Sequence, residues 1–153
     1  MIKIQIPATS ANLGAGFDAL GLALTYYNYI EMEECDKIDI TAADGLDIPT
    51  DERNLIYISA KDLFAVCGKK LEGLKLIQTS NIPMARGLGS SSACIIAGLV
   101  GANKMLGDPL TKDDLVDLAA QIEGHPDNTA PALLGGIVKA VFLSLIHISE
   151  PTR

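Results

Sequence analysis

One stretch constrains this chain more than any other: Pro83-Met84-Ala85-Arg86-Gly87-Leu88-Gly89-Ser90-Ser91-Ser92-Ala93, set between an extended run and an apolar helical run. Gly87 and Gly89 let the backbone bend so that successive N–H groups point into one concavity, where the β- and γ-phosphates of a nucleotide would fit. A helix starting near Ser91 adds the positive end of its dipole at the same spot. The hydroxyls of Ser90, Ser91 and Ser92 can donate to phosphate oxygens or ligate magnesium. The loop is not a Walker motif, because the lysine that follows the last glycine there is missing. A flexible Ser-Gly turn capping a helix is the plain alternative. Such turns rarely pair this residue order with an apolar helix directly behind.

The rest of the chain limits what can surround that loop. Its 153 residues suffice for one domain with a real core, and 48% hydrophobic against 20% charged residues excludes disorder as the main reading. A net charge of −7 repels nucleic acid and anionic membrane, so no nucleic-acid or membrane partner is expected. The apolar stretch Ala93–Val100 is too short to span a bilayer, and Met1-Ile2-Lys3-Ile4 opens without an export signal, which makes a cytoplasmic location the expectation. Cys35, Cys67 and Cys94 have no metal-like spacing; reduced thiols are expected, with Cys67 and Cys94 packing as small hydrophobes.

Periodicity predicts strands over Lys3–Ala8, Leu24–Met32, Ile38–Ala42 and Leu74–Thr79, with a last one over Gly136–Phe142. Helices are predicted over Asn54–Cys67, with Ile56, Ala60, Leu63, Phe64 and Cys67 on one face, and over Ser91–Met105. Thr111 is a good N-cap for a third helix, with Leu110 and Leu115 placed as a hydrophobic staple and Gly124 closing it. Ala130–Leu134 reads as a further helical turn. Strands come in early pairs and helices follow, so the expected fold is a two-layer α+β domain over residues 1–142 rather than a doubly wound sheet. Residues 143–153 change character abruptly. A short strand is the bland reading there; the string also looks like translated sequencing-adapter sequence, and a non-native tail is the expectation preferred.

Two more segments could carry chemistry. Pro7-Ala8-Thr9-Ser10-Ala11-Asn12-Leu13-Gly14-Ala15-Gly16-Phe17-Asp18 places Asn12 and Asp18 on a glycine-rich loop after the first strand. An amide and a carboxylate suit a small ligand bearing an ammonium and a hydroxyl; an Asx-turn is the structural alternative. Glu123-Gly124-His125-Pro126-Asp127-Asn128 sets a carboxylate at a helix end before a polar turn, suited to a magnesium ligand and substrate contacts. A solvated Glu before a Pro-Asp-Asn turn is the alternative there.

Together the three segments resemble the homoserine kinase family, within the galactokinase, homoserine, mevalonate and phosphomevalonate kinase superfamily. The resemblance runs from Lys3 to about Phe142. The Pro-x-Ala-Arg-Gly-Leu-Gly-Ser-Ser loop is specific for the superfamily, and the Pro-Ala-Thr-Ser-Ala-Asn-Leu-Gly-x-Gly-Phe-Asp opening narrows it. The resemblance implies ATP as phosphoryl donor, Mg2+ as its metal and L-homoserine as acceptor. It implies that Pro83–Ala93 wraps the ATP phosphates, that Asn54 lies near the adenine, and that Ser91 and Glu123 are the metal ligands. It places Asn12, Asp18, His125 and Asn128 around the substrate, with Asp18 suited to the ammonium group. Asn128 stands where related kinases carry an aspartate base, so Glu123 and Asn128 would serve the reaction without a protein base. Family members are often dimers, which makes a homodimer of the full-length protein an expectation.

The family's second glycine-rich motif and its carboxylate-binding arginines are missing from this stretch, and Arg53 and Arg86 match neither role. The chain as written is therefore expected to be inactive and poorly folded, its apolar faces lacking the half they pack against. Two other readings stand beside this one: a kinase of the same superfamily acting on another small alcohol, and a non-catalytic ATP-binding module.

Overall fold

Strand β1 (Ile2–Ser10) alternates as its sequence dictates, turning Ile4, Ile6 and Ala8 inward and leaving Lys3 and Gln5 exposed. The computed structural model describes residues 1–10, 20–43, 47–82, 89–124, 128–135, 137–143 and 146–152, with backbone only for 20–21 and 137–152. The order is β1, β2 (Leu20–Cys35), β3 (Ile38–Ala42), α1 (Leu55–Val66), β4 (Gly73–Ser80), α2 (Ser90–Met105), α3 (Lys112–Glu123), α4 (Thr129–Leu134), β5 (Ile137–Leu143) and β6 (Ile146–Thr152).

The strands form one sheet in the order β3-β4-β2-β5-β6, with β1 also paired to β2. Strand β2 outruns its predicted span at both ends because three partners hold it. It carries β1 antiparallel along one edge, and on the other it pairs with β4 through Asn28–Cys35 and with β5 through Leu20–Leu22. The β3–β4 pair is parallel, joined by a crossover through α1, while the other pairs are antiparallel. Residues 146–152 of the terminal stretch pair with β5 as an antiparallel strand.

The helices cover one face of the sheet, giving the expected two-layer α+β arrangement. Ile6, Ile30, Met32, Ile40, Leu74 and Leu76 from the strands meet Ile56, Leu63 and Phe64 of α1 and Ile95, Ile96 and Leu99 of α2 in a single core. Within α1, Ile56, Ala60, Leu63 and Phe64 are buried as predicted, whereas Cys67 is the C-cap and only partly buried. Helix α2 is apolar nearly all round because α1 and the sheet enclose it. Gly98 is the point of closest approach: a Cβ there would strike the backbone oxygen of Ile56 on α1. Only glycine lets the two helices meet so closely.

Thr111 caps α3 as predicted. Its hydroxyl accepts from the Asp114 amide at 3.2 Å, and Asp114 Oδ2 accepts from the Thr111 amide at 3.0 Å, a complete capping box. Gly124 closes the same helix in the left-handed region, at φ 97°.

Candidate active site

The site is assembled where β1 ends, α2 and α4 begin, and α3 ends. Helix α2 opens differently from its neighbours. Its N-cap, Gly89, sits in the left-handed region at φ 68°, has no side chain to accept from the first-turn amides, and is followed by no acidic residue in that turn. Among the described residues no side chain caps these amides, and an anion would satisfy them.

Packing of α3 on α2 brings Glu123, the last residue of α3, to the first turn of α2. Ser91 Oγ donates to Glu123 Oε1 at 3.4 Å across 32 residues of sequence. Ser91 is exposed and Glu123 partly buried. A hydroxyl and a carboxylate oxygen at this spacing are a hard-oxygen pair that fits Mg2+, which takes one or two protein oxygens and completes its shell with phosphate and water. No cluster of three or more His, Cys, Asp or Glu side chains exists among the described residues. An all-protein metal cage is thus absent from them, and a metal shared with a bound phosphate chain is the arrangement these residues suit.

Asn128 reaches the same place from the other side. It is the N-cap of α4, yet its side chain does not cap that helix. Its Oδ1 instead accepts from Thr9 Oγ1 at 2.9 Å, 119 residues away in sequence. Gly89 lies beside this pair: a Cβ on it would collide with Thr9 Oγ1 and would come 3.4 Å from Asn128 Oδ1. The end of the glycine loop, Thr9 and Asn128 therefore converge on one point. Thr9 was quoted in the opening motif without a role; the only signal for it was its place three residues before Asn12.

Two buried hydroxyls flank these residues. Ser92 Oγ and Thr129 Oγ1 have no solvent contact and no hydrogen-bond partner among the described residues. Each adjoins a predicted site residue, Ser91 and Asn128 respectively. Unsatisfied buried hydroxyls are uncommon, and such exceptions concentrate where a ligand or strained backbone belongs.

Beneath the first turns of α2 lies a small polar cluster. Gln78 Nε2 donates to Asn28 Oδ1 at 3.0 Å, and both amides approach Cys94 Sγ at 3.7 Å. Burial pushes the Cys94 thiol above its ordinary value, against the opposing pull of the Gln78 and Asn28 hydrogen bonds. A thiol held protonated is no nucleophile, in keeping with its reading as a small packing residue.

Asn54, expected near an adenine, has a structural part of its own. Its Oδ1 accepts from the Ile56 and Tyr57 amides at 2.9 and 3.3 Å, and its Nδ2 donates to the Pro49 carbonyl at 2.8 Å. It is buried, and these bonds make it the N-cap of α1. Arg53 beside it is committed to Asp51 through a bidentate pair, 2.9 Å at its closest, which holds the exposed Asp51 carboxyl below its ordinary range. Asn12, Asp18, His125 and Pro83–Leu88 lie outside the described residues.

Fold and site together define a two-layer sheet-and-helix domain in which a glycine-capped helix start lies beside a hydroxyl–carboxylate pair. The chain belongs to the GHMP kinase N-terminal domain family, whose model matches residues 54–136. It is 50% identical, over 93% of its length and 48% of the relative's, to a homoserine kinase from Carboxydothermus hydrogenoformans. A homoserine kinase structure from Cytophaga hutchinsonii superposes with a TM-score of 0.76 at 33% identity, covering 90% of this chain and 47% of that one. A solved Listeria monocytogenes structure assigned to homoserine kinase gives a TM-score of 0.87 at 42% identity, over 98% of this chain and 53% of that one. The chain spans about half the length of the curated relatives it matches. Among the described residues, no helix is long and apolar enough to cross a membrane.

Proposed function

We propose that this chain is the ATP-binding part of an enzyme that phosphorylates the hydroxyl of L-homoserine, giving O-phospho-L-homoserine and ADP. The observation that carries the reading is the convergence of Ser91, Glu123 and Asn128 on the uncapped start of α2. The relatives' identity supports the choice of acceptor.

In this reading the amides of Gly89 and the first turn of α2 hold the phosphate chain and take up negative charge on its oxygens. Ser91 and Glu123 hold Mg2+, which supplies charge neutralisation to the phosphates when bound. Asn128 sits where the acceptor hydroxyl meets the γ-phosphorus. Its amide cannot take a proton, so the chain's part in the reaction is alignment and electrostatics rather than general base catalysis. The acceptor oxygen bonds to the γ-phosphorus, the bond to the β–γ bridging oxygen breaks, and the hydroxyl proton leaves to a phosphate oxygen or solvent. Positioning of this kind supplies roughly 7–11 kcal/mol of barrier reduction in favourable cases. Asn12, Asp18 and His125 complete the acceptor side of the proposal, with Asp18 on the ammonium group.

The test is ADP release by the full-length kinase carrying this segment, with homoserine set against mevalonate and galactose. Homoserine-dependent turnover is expected. Preference for another alcohol would move the protein to a different acceptor, and ATP binding without turnover on any of them would make it a binding module.

A further inference from the structure

We propose that Thr9 is a positioning residue. Its hydroxyl locks the Asn128 amide with the carbonyl turned inward and the NH2 turned toward the reacting hydroxyl. The inference rests on the homoserine kinase reading above and deepens it.

Thr9 has no solvent exposure, although strand alternation puts Lys3, Gln5 and Pro7 on the outer face and would carry Thr9 there too. The alternation ends at a local irregularity. Pro7 pairs with Tyr27 but Thr9 pairs with Ala23, so Ala8 alone faces Leu24–Tyr26 of β2. Irregularities of this kind re-aim side chains beside functional sites. Ala8 and Thr9 are consequently both fully buried, and the Thr9 hydroxyl meets Gly89 and Asn128. A buried hydroxyl has one proton to give, and this one goes to Asn128 Oδ1 at 2.9 Å.

A threonine hydroxyl can give or take a hydrogen bond, and with its proton given to Oδ1, as it is here, the bond sets what Asn128 offers a ligand. A free asparagine amide can turn over and present either its acceptor or its donor end. With Oδ1 held by Thr9, Nδ2 is the end left for the acceptor hydroxyl. It donates to the hydroxyl's oxygen and leaves that hydroxyl's own proton directed away, toward the phosphate side. An acceptor end would instead bind that proton and keep it from the phosphate. The orientation thus suits a transfer that uses no protein base.

The experiment is steady-state kinetics with Mg·ATP and L-homoserine on the full-length kinase and four variants: Thr9→Val, Thr9→Ser, Asn128→Ala and Thr9→Val/Asn128→Ala. Thr9→Val keeps the shape and removes the donor. It should lower kcat roughly tenfold, the worth of one well-made hydrogen bond, while KM for ATP stays within about twofold. Thr9→Ser should recover most of the rate. In the Asn128→Ala background Thr9→Val should cost nothing further, since Thr9 has no amide left to orient. An unchanged kcat in Thr9→Val, or a loss that adds in full to that of Asn128→Ala, would overturn the proposal. Should Thr9→Val fail to fold, Thr9→Cys, of similar size and a weak donor, is measured in its place against the same two outcomes. Absence of homoserine turnover in the wild type would sink the functional reading instead, which keeps the two failures distinct.

Discussion

Helices α2 and α3 begin only about twenty residues apart in sequence and solve the same problem in opposite ways. Each leaves its first amides without partners inside the helix. At α3 the protein supplies the partners itself, through the reciprocal Thr111–Asp114 capping box and a second acid, Asp113, in the first turn. At α2 the described residues supply no side-chain cap: the N-cap is a left-handed glycine, the first turn carries no acid, and hydroxyls stand in the positions where a carboxylate would stabilise the helix. The first helix start is finished and the second is left open. A helix stabilised at its start by its own side chains has no room for a phosphate. The open start of α2 is stable because its other faces are buried between α1 and the sheet, so packing replaces capping.

That contrast can be broken most forcefully at the metal pair. In the full-length kinase, Ser91→Ala and Glu123→Ala should each reduce turnover by a factor on the order of 10²–10³ while leaving the thermal midpoint nearly unchanged. Wild-type turnover in either variant would remove that residue from the site. Next comes Gly89→Ala, which forces a Cβ against the Thr9 hydroxyl from a left-handed backbone. A stability loss of roughly 1–3 kcal/mol is expected in denaturant titrations, together with weaker ATP binding. Equal stability would mean that α2 can begin elsewhere.

The third test treats the finished helix start. Thr111→Ala should cost about 1 kcal/mol of stability and leave Mg·ATP affinity untouched, as measured by calorimetry. A fall in affinity would show that the two starts are not independent. The smallest effect is also the sharpest. Ser90→Asp gives α2 the first-turn acid it lacks, and should add about 0.3–1 kcal/mol to the stability of the ligand-free protein while weakening ATP binding. If affinity rose with stability, the open start would not be an anion site.

Much of this was legible in the residues. The Gly-Leu-Gly-Ser-Ser-Ser run, Thr111 before its apolar helix and Gly124 behind it carry local signals that need no tertiary partner. Residue chemistry made Ser91 and Glu123 separate candidates for a metal and the family resemblance paired them; the geometry brings the two side chains together. Asn54 carried a second signal beside the resemblance: an Asn before an apolar helical run is a strong N-cap, and its described hydrogen bonds cap α1. Thr9 was overlooked since the predicted first strand stops at Ala8, and the register irregularity that leaves Thr9 buried cannot be seen one strand at a time.

The sequence by itself determined the order of most elements and the caps of α3, since these depend on residues within a turn or two of one another. Only the tertiary structure decided which of those residues meet. Thr9 and Asn128 are separated by 119 positions, and their contact exists because Gly98 lets α2 close on α1 while the β1–β2 register carries Thr9 beneath the start of α2. Contacts of that range are set by packing and strand pairing, which no local pattern encodes.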